Sequence, residues 1–585
     1  MKTPIFCLLI LLIAAIYPLK TNSDESIQLT QDGNTEYRII LNGASPIETF
    51  AAQELQGYVM QSSGAFLPMA GADESPLGKR IFLGKNALTK LGLSINESAL
   101  GLDGFVIKTI GDRIIIAGAT PRGTLYGVYA FLEIIGCRWF APGVNGEVIL
   151  QIPTIVIPPS NYTERPKINH RGFKSLFLPT YTSTDWIDWM AKNRLNLLMI
   201  DETMYNDLKK IILGELERRG IQVGISFDVS LSDEESLSAV SKKLAEFIND
   251  NPEVDIIELN SNGTLDNAEN KVLKPELVIR AADIIHENYP EKLIYIRVVT
   301  TKTVENNSQG NYVFSFEPTS RCYRHSLGDK ECEINATQRR FLKTLAKSGK
   351  ISLYEHHMAS YEQNSLPFPV LQTISSDLKY LASLEKFDGA VSQCELGNFG
   401  TYGLNYYIFA RMSWNPQYDL GMIVDDYCEK YYNKASEPMK RFFSILEDNM
   451  TKMEHFSYVD PPELIVRFFD ESTLRELQDQ LDMAKFLTGD VIVFERIRKS
   501  QLSLEYTNLL WNTIYHYLKG IECQNAKNED AKEHYQKAVE NGEELVKFLF
   551  KNIDEGVFIV TESFIIDYLE PIINDARGRM DSLGS

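Results

Sequence analysis

Five short apolar runs between about residues 195 and 395 end in, or carry, acidic residues. Leu195–Ile200 is followed by Asp201 and Glu202, and Val254–Leu259 carries Glu258 with Asn260 and Asn262 just beyond it. Tyr312–Phe316 is followed by Glu317, Ile351–Tyr354 by Glu355, His356 and His357, and Gly389–Gln393 by Cys394 and Glu395. If these runs are parallel strands of one sheet, their C-terminal ends gather on one side, where loops can enclose a ligand. Several carboxylates converging there suit cleavage of a glycosidic bond, which needs one acid on the leaving oxygen and a second carboxylate as base or nucleophile. Glu355 and Glu395 form the leading catalytic pair, because each ends a strand-like run and precedes a loop with little local reason for a carboxylate. A raised pKa on one and an ordinary value on the other would divide the two roles. Any of these acids taken singly also reads as a loop or capping residue. Asp201, Glu317 and His356 would line the same mouth as substrate contacts. Arg321 and Arg324, after the sixth run, have the fork geometry to hold a substrate carboxylate, or else form structural salt bridges. Tyr354 and Tyr402, with Tyr323 and Tyr361, are candidates for walls around a sugar ring, though ordinary packing is the first reading of each taken alone.

Other chemistries find little support. His356 and His357 are adjacent, and on an extended backbone they point to opposite sides, so they do not chelate together. With no HExxH or comparable spacing, no metal site is expected. There is no GxSxG elbow and no glycine-rich phosphate loop, and no cofactor is called for. The formal net charge of −20 disfavours nucleic acid or an anionic membrane as the main partner. A carbohydrate substrate or ligand is the expected partner, and the oligomeric state stays open.

The elements that would position these residues follow from periodicity. Eight apolar strand-like runs, Ile168–Leu176, Leu195–Ile200, Ile221–Phe227, Val254–Leu259, Leu293–Val299, Tyr312–Phe316, Ile351–Tyr354 and Gly389–Gln393, mostly alternate with amphipathic helical patterns. Short continuous runs match parallel strands buried on both faces. Eight of them point to an α/β fold with a (β/α)8 TIM-type barrel over 165–415, although an open doubly wound sheet shares the pattern. Before it, 24–158 interleaves β-rich runs such as Tyr37–Leu41, Arg80–Leu83 and Arg113–Ala117 with two helical patterns, a small N-terminal α/β sandwich domain. After Trp414-Asn415-Pro416 the periodicity is helical almost throughout, an α-helical C-terminal domain over 416–585. With 585 residues, 44% hydrophobic and 24% charged, three globular units are the natural division. Residues 1–23, with Lys2 ahead of the apolar run Ile5–Ile16, read as a secretory signal, which predicts an exported protein without a transmembrane segment. Six cysteines remain beyond it. Cys322 and Cys332 flank a short loop and are either a local disulfide or two buried thiols. Sequons stand at Asn96, Asn161, Asn262, Asn306, Asn335 and Asn449.

Two sets of motifs carry a family resemblance. Gly123-Thr124-Leu125-Tyr126-Gly127-Val128-Tyr129-Ala130-Phe131-Leu132-Glu133, closing in Gly136-Cys137-Arg138-Trp139-Phe140-Ala141-Pro142-Gly143, resembles the end of the N-terminal α/β domain of α-glucuronidases and β-hexosaminidase-like glycosidases. Trp189-Met190-Ala191-Lys192-Asn193-Arg194-Leu195-Asn196, Arg321-Cys322-Tyr323-Arg324-His325 through Cys332, Leu353-Tyr354-Glu355 and Gly403-Leu404-Asn405-Tyr406-Tyr407 resemble an uncharacterised bacterial, often secreted, glycoside-hydrolase-like family with a domain of unknown function. The resemblance spans about residues 30 to 435 and implies a glycosidase class rather than a reaction. Two departures stand out: Val223–Asp228 lacks the Gly-His element of relatives, and Ser261-Asn262-Gly263 stands where relatives show Pro-Asn-Asp, with Asp266 nearby. These departures open a second expectation, a glycan-binding protein on a degenerate barrel. A third makes the helical tail a docking module of a surface glycan-uptake complex.

Overall fold

A computed structural model describes residues 26–71, 78–177, 183–229, 231–260, 275–299, 312–358, 365–395, 398–457, 462–558 and 563–583. The first unit is a six-stranded sheet in the order β6-β4-β5-β3-β1-β2, where β1 is Arg38–Leu41, β2 Met69–Gly71, β3 Arg80–Leu83, β4 Phe105–Ile110, β5 Arg113–Gly118 and β6 Asn161–Glu164. Helices α1 (Pro46–Ser63) and α2 (Pro121–Ile134) pack against each other beside it. Local chemistry sets the ends of α1. Ser45 and Glu48 close a reciprocal capping box, and Gly64 takes the left-handed conformation (φ 82°) that stops the helix.

The second unit is a closed barrel of eight parallel strands in sequence order. They are β7 (His170–Phe177), β8 (Leu197–Asp201), β9 (Gln222–Asp228), β10 (Ile256–Asn260), β11 (Leu293–Val298), β12 (Tyr312–Phe316), β13 (Lys350–Glu355) and β14 (Phe387–Glu395). Each overlaps one of the eight apolar runs, and closure between β7 and β14 selects the barrel over the open sheet. The helices between them are α3 (Ser183–Lys192), α4 (Glu202–Arg219), α5 (Glu234–Asp250), α6 (Pro275–Asn288), α7 (Glu333–Ser348) and α8 (Leu371–Leu381), with α9 (Phe399–Trp414) after β14. Strand alternation sorts the side chains into two cores. Phe173, Leu198, Ile225, Ile257, Phe314 and Leu353 face the helices, whereas Leu197, Met199, Ile256, Tyr295, Val313, Tyr354 and Val391 fill the lumen. Tyr295 fits there because β14 offers Gly389, where an added Cβ would lie 2.7 Å from Ser352 Oγ and 3.2 Å from the Tyr295 hydroxyl.

The third unit is helical: α10 (Leu420–Tyr431), α11 (Ser436–Met450), α12 (Glu471–Leu487), the 35-residue α13 (Val491–Asn525), α14 (Ala531–Lys551) and α15 (Glu570–Ser582). Arg496 of α13 ties this unit to the first, donating to the carbonyls of Asn145, Tyr431 and Glu147 at 2.8, 2.8 and 2.9 Å. No described helix is long and apolar enough to cross a membrane.

Two buried charge clusters lock the first unit to the barrel. Asp103 accepts from Arg171, Arg122 and Asn196 at 2.6, 2.7 and 2.7 Å. Glu133, the last residue of the glycine-rich α2 motif, accepts from Arg194 and Arg411 at 2.6 Å each. Burial pushes both carboxyls upward, but the surrounding guanidinium groups outweigh it and hold each at about 2. Trp189 and Asn193 add hydrogen bonds to the Trp139 carbonyl, both 3.0 Å. The segment Trp189–Asn196 is therefore an interdomain seam, which is why its residue types are so particular. The six cysteines from Cys137 onward are unpaired and buried, so Cys322 and Cys332 are thiols here. The Asn335 sequon is fully buried in the fold, and the Asn262 and Asn306 sequons lie outside the described residues.

Candidate functional site

Pairing register brings the polar lumen residues side by side at the C-terminal ends of the strands. Asp201, Ser226, Glu258 and Tyr295 are successive cross-strand partners, Lys174 pairs with Gln393, and Arg297 pairs with Ser315. Residues two apart on a strand share a face. So Lys174 lies above Gly172, Arg297 above Tyr295, His356 above Tyr354, and Glu395 above Gln393.

Two ion-paired groups occupy this layer. In the first, the Lys174 ammonium donates to Glu258 Oε2 at 2.6 Å and to Ser226 Oγ at 2.8 Å, and Ser226 Oγ donates to the same carboxylate at 2.7 Å. Burial raises the Glu258 carboxyl, but the Lys174 and Arg297 charges outweigh it and hold it below the ordinary range. In the second, Arg297 reaches Glu317 Oε2 through Nε at 2.8 Å and Nη2 at 2.7 Å, while His356 Nε2 meets Glu317 Oε1 at 2.8 Å. Burial acts upward on Glu317 too, and the His356 hydrogen bond and Arg297 charge bring it down to about 2. Tyr354 lies between the groups. The Arg297 guanidinium stacks 4.2 Å from its ring centroid, Lys174 stands 5.3 Å away, and its hydroxyl donates to Gln393 Oε1 at 3.1 Å. Gln393 Nε2 in turn donates to Glu395 Oε1 at 3.2 Å. The result is a lumen mouth with three carboxylates, two cations, an imidazole and a tyrosine. It can orient a polar ligand, place fixed negative charge beside it, and move a proton through His356 or an acid.

The two residues of the leading pair lie on different faces. Glu395 is on the lumen face. Glu355, one residue along from Tyr354, points outward between the barrel and α8. There Arg321 Nη1 donates to Glu355 Oε1 at 2.5 Å and to Asp377 Oδ2 at 2.7 Å, and Tyr323 donates its hydroxyl to Glu355 Oε2 at 2.8 Å. Arg321 and Asp377 are wholly buried. Burial works against both charges, but their mutual attraction outweighs it, pushing the arginine's pKa upward and drawing that of Asp377 below the usual range. The backbone alternation also parts the histidines. His356 turns into the lumen and His357 outward, with Nε2 3.5 Å from Asp377 Oδ2.

Of the other expected contacts, Glu317, His356 and Tyr354 meet in the lumen. Asp201 is exposed at the rim and caps α4, accepting the Met204 N–H at 2.7 Å. Arg324 lines an outer groove with Gln372, Glu447 and Asp448. Tyr402 is buried on α9 and donates its hydroxyl to the Leu366 carbonyl at 2.5 Å. Tyr361, Asn262, Gly263 and Asp266 lie outside the described residues. Lys174, Arg297, Ser226 and Gln393 do not emerge from inspecting strand ends, because they stand inside the strands. Their signal is a cation, hydroxyl or amide within an apolar run, two residues from another lumen side chain.

Residues 225–444 match the family described as a domain of unknown function (DUF4838), and residues 24–131 match the glycosyl hydrolase family 67 N-terminus. No curated protein matches the chain. Among solved structures, the GH115 4-O-methyl-α-glucuronidase BtGH115A, with specificity for decorated arabinogalactans, aligns at TM-score 0.64 and 11% identity, over 92% of this chain and 78% of that one. A GH138 enzyme targeting pectin rhamnogalacturonan II aligns at TM-score 0.58 and 10% identity, over 94% of this chain and all of that one. CpGH84B aligns at TM-score 0.53 and 14% identity, over 96% and 99%. At these identities the likeness is one of fold, and it runs through all three units of the chain. The chain thus has a glycoside-hydrolase-like fold, with a segment that matches the family 67 N-terminus ahead of a barrel that matches the domain-of-unknown-function model over residues 225–444.

Proposed function

We propose that the protein cleaves a glycosidic bond in a poly- or oligosaccharide, with the lumen mouth as the active site and Glu317 and Glu395 as the carboxylates that act on it. The observation that carries this reading is that both lie on the lumen face at the C-terminal end of the barrel. Glu317, held ionised by His356 and Arg297, supplies fixed negative charge as base or nucleophile. Glu395, bonded to the neutral amide of Gln393, is assigned the proton-donor role. Glu355 becomes a positioning residue for the Arg321–Tyr323 loop. Arg297 and Lys174 make uronic-acid-bearing polysaccharides the first substrates to try. Product release from such a panel tests the reading, with Glu317→Gln and Glu395→Gln expected to be inactive while folded.

One observation favours a non-catalytic, glycan-binding reading instead. Glu258 and Glu317 are both ion-paired and held below the ordinary range, so neither offers a proton near neutral pH. Binding seen by calorimetry with no product after long incubation would select it. We also propose export, on the strength of the basic and apolar N-terminal residues. N-terminal sequencing of protein from outside the cytoplasm should find a start near Ser23; a retained Met1 in cytoplasmic protein would contradict it.

A further inference from the structure

Outside the lumen, the loop after β12 and the segment after α11 bring four soft and borderline ligands together. The Sγ atoms of Cys322 and Cys332 and one ring nitrogen each of His325 and His455 all lie within 4.8 Å of one another. Cys322 Sγ and His325 Nδ1 are 3.4 Å apart. In a tetrahedral zinc site, with Zn–S about 2.3 Å and Zn–N about 2.0–2.1 Å, ligand atoms stand roughly 3.4–3.8 Å from each other. The Cys322–His325 pair already stands at that spacing, and the remaining ligand atoms lie within 4.8 Å of one another. We propose that Cys322, His325, Cys332 and His455 bind one Zn2+ as a structural site.

Three further features support a built site. Asn335, wholly buried on α7, fixes the loop backbone. Its Oδ1 accepts the Cys322 N–H at 2.8 Å, and its Nδ2 donates to the carbonyls of Cys322, His325 and Ser326 at 2.9, 3.0 and 3.2 Å. Arg321 Nη2 adds a bond to the His325 carbonyl at 3.1 Å. Two ligands are thus held by groups that are themselves held. Cys332 stands at the N-cap of α7, where its side chain makes no capping bond to the helix backbone. His455 comes from the segment after α11, brought in by the Tyr323 N–H donating to the Phe456 carbonyl at 2.6 Å and by Phe456 packing on Phe368 at 4.7 Å.

The donor set decides the ion and the role. Two thiolates and two imidazoles in a tetrahedral arrangement suit Zn2+. Each cysteine releases its proton to solvent on binding, and the two thiolates then balance the ion's charge. Four protein ligands leave no open position, so the ion is a clasp between the barrel and the helical unit rather than a catalyst. The second group of ligating residues, Glu355, His357 and Asp377, is different, because the Arg321 guanidinium already bridges its two carboxylates.

The test is metal content of the full chain purified without chelator, by mass spectrometry, alongside His455→Ala, Cys332→Ser and Cys523→Ser. About one zinc per chain is expected in the parent and in Cys523→Ser. Because His455 is exposed, His455→Ala should fold normally and lose zinc affinity by at least about tenfold. Cobalt loaded into the reduced, chelator-stripped parent should give the visible bands of a tetrahedral thiolate site, absent from Cys332→Ser. The proposal is overturned if the reduced parent takes up no zinc, if His455→Ala and Cys332→Ser retain it undiminished, or if the exported protein carries a Cys322–Cys332 disulfide.

Discussion

Alternation along β13 puts Tyr354 and His356 in the lumen and Glu355 and His357 outside it, and that one-residue difference governs what each can do. A carboxylate with both oxygens committed to Arg321 and Tyr323 holds a loop. Glu355→Gln should therefore lower stability, on the order of 2–4 kcal/mol, because Arg321 keeps only Asp377 as a buried counter-charge. Denaturant unfolding checks this, together with activity of the folded fraction, which should stay near the parent's. Glu317, by contrast, lies on the lumen face at the proposed active site. The carboxylates above the strands were readable from residue types and spacing, as were Glu317, His356, Tyr354 and Glu395. Pairing Glu355 with Glu395 follows from treating each run as a continuous hydrophobic strand, whereas facing is decided by parity. A single residue of offset turns a side chain from the ligand to the helices.

At the scale of elements, the loop between β12 and α7 is short on regular structure and rich in buried polar contacts. Asn335 contributes four hydrogen bonds to the loop backbone. Asn335→Ala would strand buried N–H and C=O groups and should cost about 2–4 kcal/mol, seen as a lower Tm. An unchanged Tm would mean the loop is held from elsewhere. All eight barrel strands were legible in the sequence because parallel strands buried on both faces are continuous apolar runs. The cluster of Cys322, His325, Cys332 and His455 was not. Three of its members are close in the chain, but His455 comes from far beyond them, and no local spacing rule can anticipate it.

Across the whole molecule, Asp103 and Glu133 are two buried acids that join the first unit to the barrel. Their carboxyls are depressed to about 2 in the fold, from ordinary values near 4. Such groups contribute stability in full above the unfolded pKa and lose it as pH falls through the folded one. Stability should hold down to about pH 5 and fall between about pH 4 and 2, each acid accounting for roughly 2–3 kcal/mol. Glu133→Gln should flatten that fall and lower stability at pH 7 by about 3–5 kcal/mol, since Arg194 and Arg411 lose a shared counter-charge. Unfolding curves across about pH 2 to 7 would show both effects. The proposed active site lies in the lumen of the barrel that this seam supports. Product release from uronic-acid-bearing polysaccharides should be compared for the parent, Glu317→Gln, Glu395→Gln and Glu355→Gln at matched folded concentration. Turnover should fall by about a thousandfold or more in the two lumen variants and stay near the parent's in Glu355→Gln. Full activity in both lumen variants, or loss confined to Glu355→Gln, would contradict it.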